Sequence, residues 1–249
     1  MAERVLLIDR GNTRLKWVEA VDGVIDEDSS GRGDFSAFEI TCRSAGFMPP
    51  SRVLFSSVAG SEAANELTEF FAAEWLITAQ RLQTKNRSET VINGYAEPDQ
   101  LGVDRWLAIV GAVAQHGKPV VVWDLGTAST LDAVDESGRH VGGMIYPGPA
   151  TMLRSLAGDT KLEVPGELRG AETGPGRSTA TCIRNGVLAA QIGALNQFLR
   201  NTRIAEQIQP KLIVTGGGAA EILPLVDFPC IHDPWLVFRG MLAEDTQAR

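Results

Sequence analysis

The most constraining feature of this 249-residue chain is a pattern that occurs twice. An apolar run, Val5–Ile8, ends in Asp9 and is followed by Arg10-Gly11-Asn12-Thr13. A second apolar run, Val120–Trp123, ends in Asp124 and is followed by Leu125-Gly126-Thr127. The copies lie nearly half the chain apart, far beyond the period of a solenoid repeat. This spacing predicts a duplicated domain, residues 1–115 and 116–249, with a site between the halves. Each half has the ordinary size of a domain, ~100–150 residues.

The rest of the chain supplies alternating strands and helices. Val5–Ile8 and Leu15–Val18 read as a β-hairpin, and Asp22-Gly23 signals a second one. Asp34 is placed to cap a helix running to Phe47, ahead of Pro49-Pro50. Arg52–Ser57 reads as a strand, Ser61–Phe71 as a helix and residues 78–100 as mostly loop. Asp104–Ala114 is apolar nearly all round, which predicts a buried helix. Strands are expected over Pro119–Trp123, Thr130–Val134, Val141–Ile145 and Lys211–Val214. Helices are expected over residues 149–157, Ser178–Asn201 and Leu236–Thr246, another after Gly216-Gly217-Gly218, and a surface loop over 158–177.

Composition narrows the function classes. The net charge of −8 and the absence of a dense Lys/Arg run argue against nucleic acid or an anionic membrane as partner. Cys42, Cys182 and Cys230 are odd in number and far apart, unlike a disulfide framework or a zinc site. A cytoplasmic protein is expected, with no secretory signal and no run long enough to span a bilayer.

The duplicated turn has a clear chemical use. Backbone N–H groups in a short Gly-containing loop between strands can face an anion, and small residues let a phosphate approach closely. The terminal Asp repels phosphate but can hold a divalent cation that neutralises it, usually through water for Mg²⁺. Thr13 and Thr127 add hydroxyl donors, and Lys16 can reach a phosphate as a point charge. Taken singly, an Asp-x-Gly after a strand is an ordinary turn. Two copies with matching flanks favour phosphoryl transfer, which asks a protein mainly for positioning and charge stabilisation. Asp104 has two readings, a helix N-cap or a general base toward an attacking hydroxyl. Arg105 can clamp a carboxylate or phosphate bidentately, or form a surface ion pair.

In order and spacing these motifs resemble the type III pantothenate kinases, over nearly the whole chain. The residues that carry the resemblance are Asp9–Lys16, Gly102-Val103-Asp104-Arg105, Asp124–Ala128, Gly142–Gly148, Gly176–Thr179 and Thr215-Gly216-Gly217. The resemblance implies an α/β fold of two ribonuclease-H-like, actin-like ATPase domains, mixed sheets flanked by helices, with ATP in the cleft between them. It implies ATP contacts from Asp9, Arg10, Gly11, Asn12, Thr13, Arg14, Leu15, Lys16 and Thr127, with Asp9 near Mg²⁺. Pantothenate contacts are implied for Tyr95, Gly102, Val103, Asp104, Arg105 and Thr179, with Asp104 as the base. Asp124 is implied to hold a monovalent cation, K⁺ or NH₄⁺, and the protein to be a homodimer whose partner subunit helps form the pantothenate site. Two other readings compete: a kinase of the same superfamily acting on another small hydroxylated substrate, and a non-catalytic nucleotide-binding regulatory protein.

Overall fold

The computed structural model describes residues 2–44, 46–202, 209–226 and 228–246. The chain divides into two compact units, Met1–Gln115 with Leu236–Arg249, and His116–Trp235. The C-terminal helix therefore belongs to the first unit, whereas the sequence division assigns it to the second half.

The first unit is built on a five-stranded sheet of order β3-β2-β1-β4-β5. Its strands are β1 (Arg4–Arg10), β2 (Leu15–Val21), β3 (Val24–Gly33), β4 (Arg52–Ser57) and β5 (Gln80–Arg81). β1, β2 and β3 form an antiparallel meander, while β4 and β5 add in parallel. The β2–β3 turn uses Asp22 at φ 49° and Gly23 at φ 81°, the left-handed pair that matches the twist of a hairpin. Side chains alternate across a strand. Leu6 and Ile8 face α1 (Phe35–Cys42) and α2 (Gly60–Trp75), where they join Trp17, Phe38, Phe55, Leu67 and Phe71 in one core. Asp34 caps α1 by accepting the Ala37 N–H at 2.9 Å, but the helix stops at Cys42, short of Phe47. α2 runs to Trp75, beyond the expected Phe71, and Trp75 stacks on Phe47.

Helix α3 (Val103–His116) is buried from Arg105 to Val113, as its uniform apolarity predicts. It packs against α7 (Leu236–Thr246) at unusually short range. A Cβ on Gly240 would overlap the Leu107 carbonyl, and one on Gly111 would overlap the Leu236 carbonyl. Arg52 of β4 pairs with the buried Asp245, which ties α7 to the first sheet.

The second unit repeats the same topology, with strand order β10-β9-β6-β7-β8. Its strands are β6 (Val120–Leu125), β7 (Ala128–Val134), β8 (His140–Pro147), β9 (Lys211–Thr215) and β10 (Cys230–His232). β6 stands where β1 stands in the first sheet, antiparallel to β7 and parallel to β9. The sequence repeat is thus a repeat of sheets. Val121, Trp123, Leu125, Leu131 and Ala133 face a core shared with α4 (Pro149–Asp159) and α5 (Thr179–Thr202). The short α6 (Ala219–Ile222) follows the triple glycine. Sequence periodicity misses β10 and the length of β3, because an edge strand need not bury an alternating face.

Candidate active site

Asp9 is the sixth residue of β1 and sits between Lys16 on β2 and Ser56 on β4. Its side chain points away from the aromatic core and is 9% exposed. The Ser56 hydroxyl donates to Oδ1 at 3.0 Å. Burial raises the pKa of Asp9, Lys16 opposes that, and the charge of Asp104 adds to it. Asp9 and Asp104 therefore feel each other within the first unit. The loop beyond Asp9 closes through Gly11 N–H to the Arg14 carbonyl at 3.0 Å. Asn12, Thr13 and Arg14 are exposed at its tip, and so is Lys16.

Strand parity splits the expected nucleotide residues. Arg10 and Leu15 are cross-strand partners on the face opposite Asp9. Leu15 is 2% exposed within the aromatic core. Arg10 bridges to Glu66 at 2.7 Å and lies over the Phe35 ring at 5.3 Å. The Leu15 side chain is thus held in the core, which leaves its backbone for a nucleotide, while the Arg10 guanidinium keeps Nη1 without a hydrogen-bond partner.

Asp104 is the second residue of α3, not its N-cap, which corrects that reading. The Gly102 carbonyl starts the helix by accepting the Trp106 N–H at 2.9 Å. The Asp104 carboxylate is half-buried and accepts the Arg105 N–H at 2.8 Å. A Cβ on Gly102 would lie 2.7 Å from Asp104 Oδ1, so glycine there leaves the carboxylate its position. Arg105 is buried; it donates from Nη1 to the Tyr95 hydroxyl at 2.8 Å and lies over that ring. Asn93 orders this corner by donating to the Lys85 and Pro98 carbonyls and accepting the Tyr95 N–H. Gly102, Val103, Asp104, Arg105 and Tyr95 thus form one cluster. Asn93 and Ser56 were not legible as members; the only sequence hint was the Asn93-Gly94 turn signal.

In the second unit, Asp124 is half-buried near the end of β6 and pairs in register with Thr130 and Thr215. Gly216, at φ 92°, packs against it so closely that a Cβ would overlap Asp124 Oδ1 and lie 2.6 Å from the Leu125 N. The triple glycine thus begins as a close backbone approach to the Asp124 turn. Thr127 is exposed, and its carbonyl accepts Gly148 N–H at 3.0 Å and Thr151 Oγ1 at 2.7 Å. Thr179 is the exposed first residue of α5, whose start is capped by reciprocal bonds between Ser178 and Thr181. A cavity of about 1160 Å³ lies beside it, lined among others by Thr151, Leu156, Leu162, Arg177 and Ile183.

Among the described residues, no group of three or more His, Cys, Asp and Glu side chains is arranged to hold a metal ion. A single buried carboxylate with one hydroxyl donor fits a cation held chiefly by phosphates and water. The burial of Asp9 has a testable cost. A raised carboxylate pKa means that the group opposes folding: the penalty grows as pH rises from the unfolded value to the folded one, is complete above the folded value, and is gone below the unfolded value. Asp9→Asn is therefore expected to raise the melting temperature of the metal-free protein at neutral pH while lowering turnover. A melting temperature unchanged or lowered at neutral pH would contradict the burial argument.

A family model described as type III pantothenate kinase matches residues 5–201. The type III pantothenate kinase of Alcanivorax borkumensis is 33% identical, over 95% of this chain and 96% of its own. That of Thiobacillus denitrificans is 35% identical, over 95% of this chain and 94% of its own. Among solved structures, a Campylobacter jejuni protein described as a Baf family transcriptional activator superposes with a TM-score of 0.66 at 19% identity, covering 98% of this chain and all of that one. MreB 5 of Spiroplasma citri, bound to AMPPNP, superposes with a TM-score of 0.50 at 8% identity, over 98% of this chain and 95% of its own. These likenesses carry the fold, that of the actin-like ATPases with ribonuclease-H-like sheets.

Proposed function

The chain belongs to the type III pantothenate kinase family, and from that premise we propose that Asp104 is the general base in the transfer of a phosphoryl group from ATP to pantothenate. The protein is an ATP-dependent kinase that forms 4′-phosphopantothenate for coenzyme A biosynthesis. The observation that carries the assignment of the base is the Asp104 carboxylate in the first turn of α3, beside Arg105 and within reach of the charge of Asp9. A base must sit within hydrogen-bond reach of the acceptor hydroxyl, and a helix start is a rigid place to hold it.

The remaining roles are those that the family resemblance implies. Asp9, Arg10, the loop Gly11–Arg14, Lys16 and Thr127 contact ATP, with Leu15 contributing backbone alone. Tyr95, Gly102, Val103, Arg105 and Thr179 contact pantothenate, and the planar Arg105 fork suits the substrate carboxylate. ATP enters with a divalent metal, and Asp9 would hold Mg²⁺, which neutralises phosphate charge when bound. Asp124, packed against Gly216, would hold K⁺ or NH₄⁺. A second copy of the chain would cover the largely apolar groove between α4 and α5 and complete the acceptor site next to Thr179. Cytoplasmic residence belongs to the same reading, supported by three unpaired cysteines. No helix among the described residues is long and apolar enough to cross a membrane.

The test is ADP release by the purified protein with ATP, Mg²⁺ and a panel of pantothenate, acetate and sugars, with and without K⁺. Pantothenate should give the highest kcat/KM. A better sugar or acetate substrate would overturn the acceptor assignment, and ATP binding without turnover on any acceptor would favour a regulatory protein. Sedimentation at micromolar concentration should give a dimer, and a monomer would remove the partner from the acceptor site.

A further inference from the structure

A buried polar network in the second unit has no part in the roles above. Gln191, halfway along α5, and Ser129, the second residue of β7, are both 0% exposed. The Ser129 hydroxyl donates to Gln191 Oε1 at 2.7 Å, and Gln191 Nε2 donates to the Pro147 carbonyl at 3.0 Å. The amide orientation follows from chemistry: a carbonyl only accepts, so Nε2 must face Pro147. Both amide functions are used.

The two contacted residues flank one loop. Ser129 lies two positions after Thr127. Pro147 precedes Gly148, whose N–H donates to the Thr127 carbonyl at 3.0 Å. Gly148 is packed so tightly that a Cβ would overlap the Gly126 carbonyl and lie 2.9 Å from that of Thr127. Any shift of Pro147-Gly148 therefore moves Gly126-Thr127. Tyr146 and Trp123 extend the network, with Trp123 Nε1 donating to the Tyr146 hydroxyl at 2.8 Å.

Gln191 belongs to the helix that begins at Thr179. Twelve residues of α-helix span about 18 Å. The amide thus pins a long helix, with a proposed acceptor contact at its start, to the strand ends that hold a phosphate loop. We infer that Gln191 is a positioning residue for the kinase reaction, holding the Gly126-Thr127 loop at a set distance from Thr179 through Ser129 and Pro147. The inference rests on the reading that Thr127 contacts ATP.

Three variants test it in the full-length protein. Gln191→Met keeps length and apolar volume but loses both bonds; it should raise the KM for ATP by about tenfold to a hundredfold, the scale of a misplaced binding loop. ADP affinity, measured by titration calorimetry, should fall in parallel. Gln191→Glu keeps the acceptor for Ser129 but, when ionised, cannot donate to Pro147; its ATP KM should improve toward that of the parent as pH is lowered, since a protonated carboxyl restores a donor. Thr127→Val removes the hydroxyl at the loop itself. If Thr127→Val leaves the KM for ATP unchanged, the phosphate-loop reading fails and the inference falls with it. If Thr127→Val raises that KM while Gln191→Met lowers only the melting temperature, Gln191 serves packing alone and the inference is overturned. Should Gln191→Met fail to fold, the pH dependence of Gln191→Glu decides: a KM ratio to the parent that does not change with pH sinks the proposal.

Discussion

Asp104→Asn is expected to lower turnover by about 10²–10⁴, the usual range for loss of a general base. The substitution is close to isosteric. The Asn carbonyl can still accept the Arg105 N–H that the carboxylate accepts at 2.8 Å, so the first turn of α3 keeps its bond. Gly102 leaves the same room for either side chain, and Arg105 keeps its Tyr95 partner. What disappears is the ability to take a proton. The KM for pantothenate and the melting temperature should therefore change little while kcat collapses. Steady-state kinetics beside a thermal melt separate the effects. Full turnover in this variant would remove Asp104 from the chemistry and leave it a role at the helix start.

The largest stability effect is expected at the α3–α7 contact. In a solvent-exposed helix, Gly→Ala stabilises by ~1 kcal/mol, because alanine restricts the unfolded chain and has the better helix propensity. Gly193 in α5 meets that condition, since a Cβ there has nothing within 4 Å, and Gly193→Ala should raise stability by about 0.5–1 kcal/mol. Gly240→Ala carries the same propensity gain, but its Cβ would overlap the Leu107 carbonyl oxygen. Backbone cannot rotate away as a side chain can, so the two helices must separate. Overpacking of that kind costs typically 1–3 kcal/mol and occasionally more. We expect a net loss of about 1–2 kcal/mol, lowering the melting temperature by ~2–8 °C for a chain of this size. Calorimetry on the two variants should give shifts of opposite sign. An increase in both would mean that α7 does not approach α3 as closely as described.

The contact also bears on function. α3 presents Asp104 and Arg105 at its start and Gly111 to α7. A variant that separates the helices should therefore lose turnover along with stability, although residue 240 lies far along the chain from the acceptor motif.

Much of this was legible in the amino-acid order. The doubled acid-tipped strand and its small-residue turn determined two sheets of one topology, because a continuous apolar run must be buried and a Gly-containing loop must turn. The uniform apolarity of residues 104–114 determined a buried helix, and Asp34 determined where α1 begins. Strand alternation places Asp9 and Arg10 on opposite faces of β1. Which face of β1 meets α1 and α2 was decided only in three dimensions, where Glu66 and Phe35 arrive from distant positions to take up Arg10. The return of α7 to the first unit, the Ser56 donor to Asp9 and the Gln191 bridge were decided there too. Local patterns report what a segment must bury. They carry no record of which remote segment supplies the partner, because that choice rests on shape and hydrogen-bond complementarity that exist only once the chain has closed.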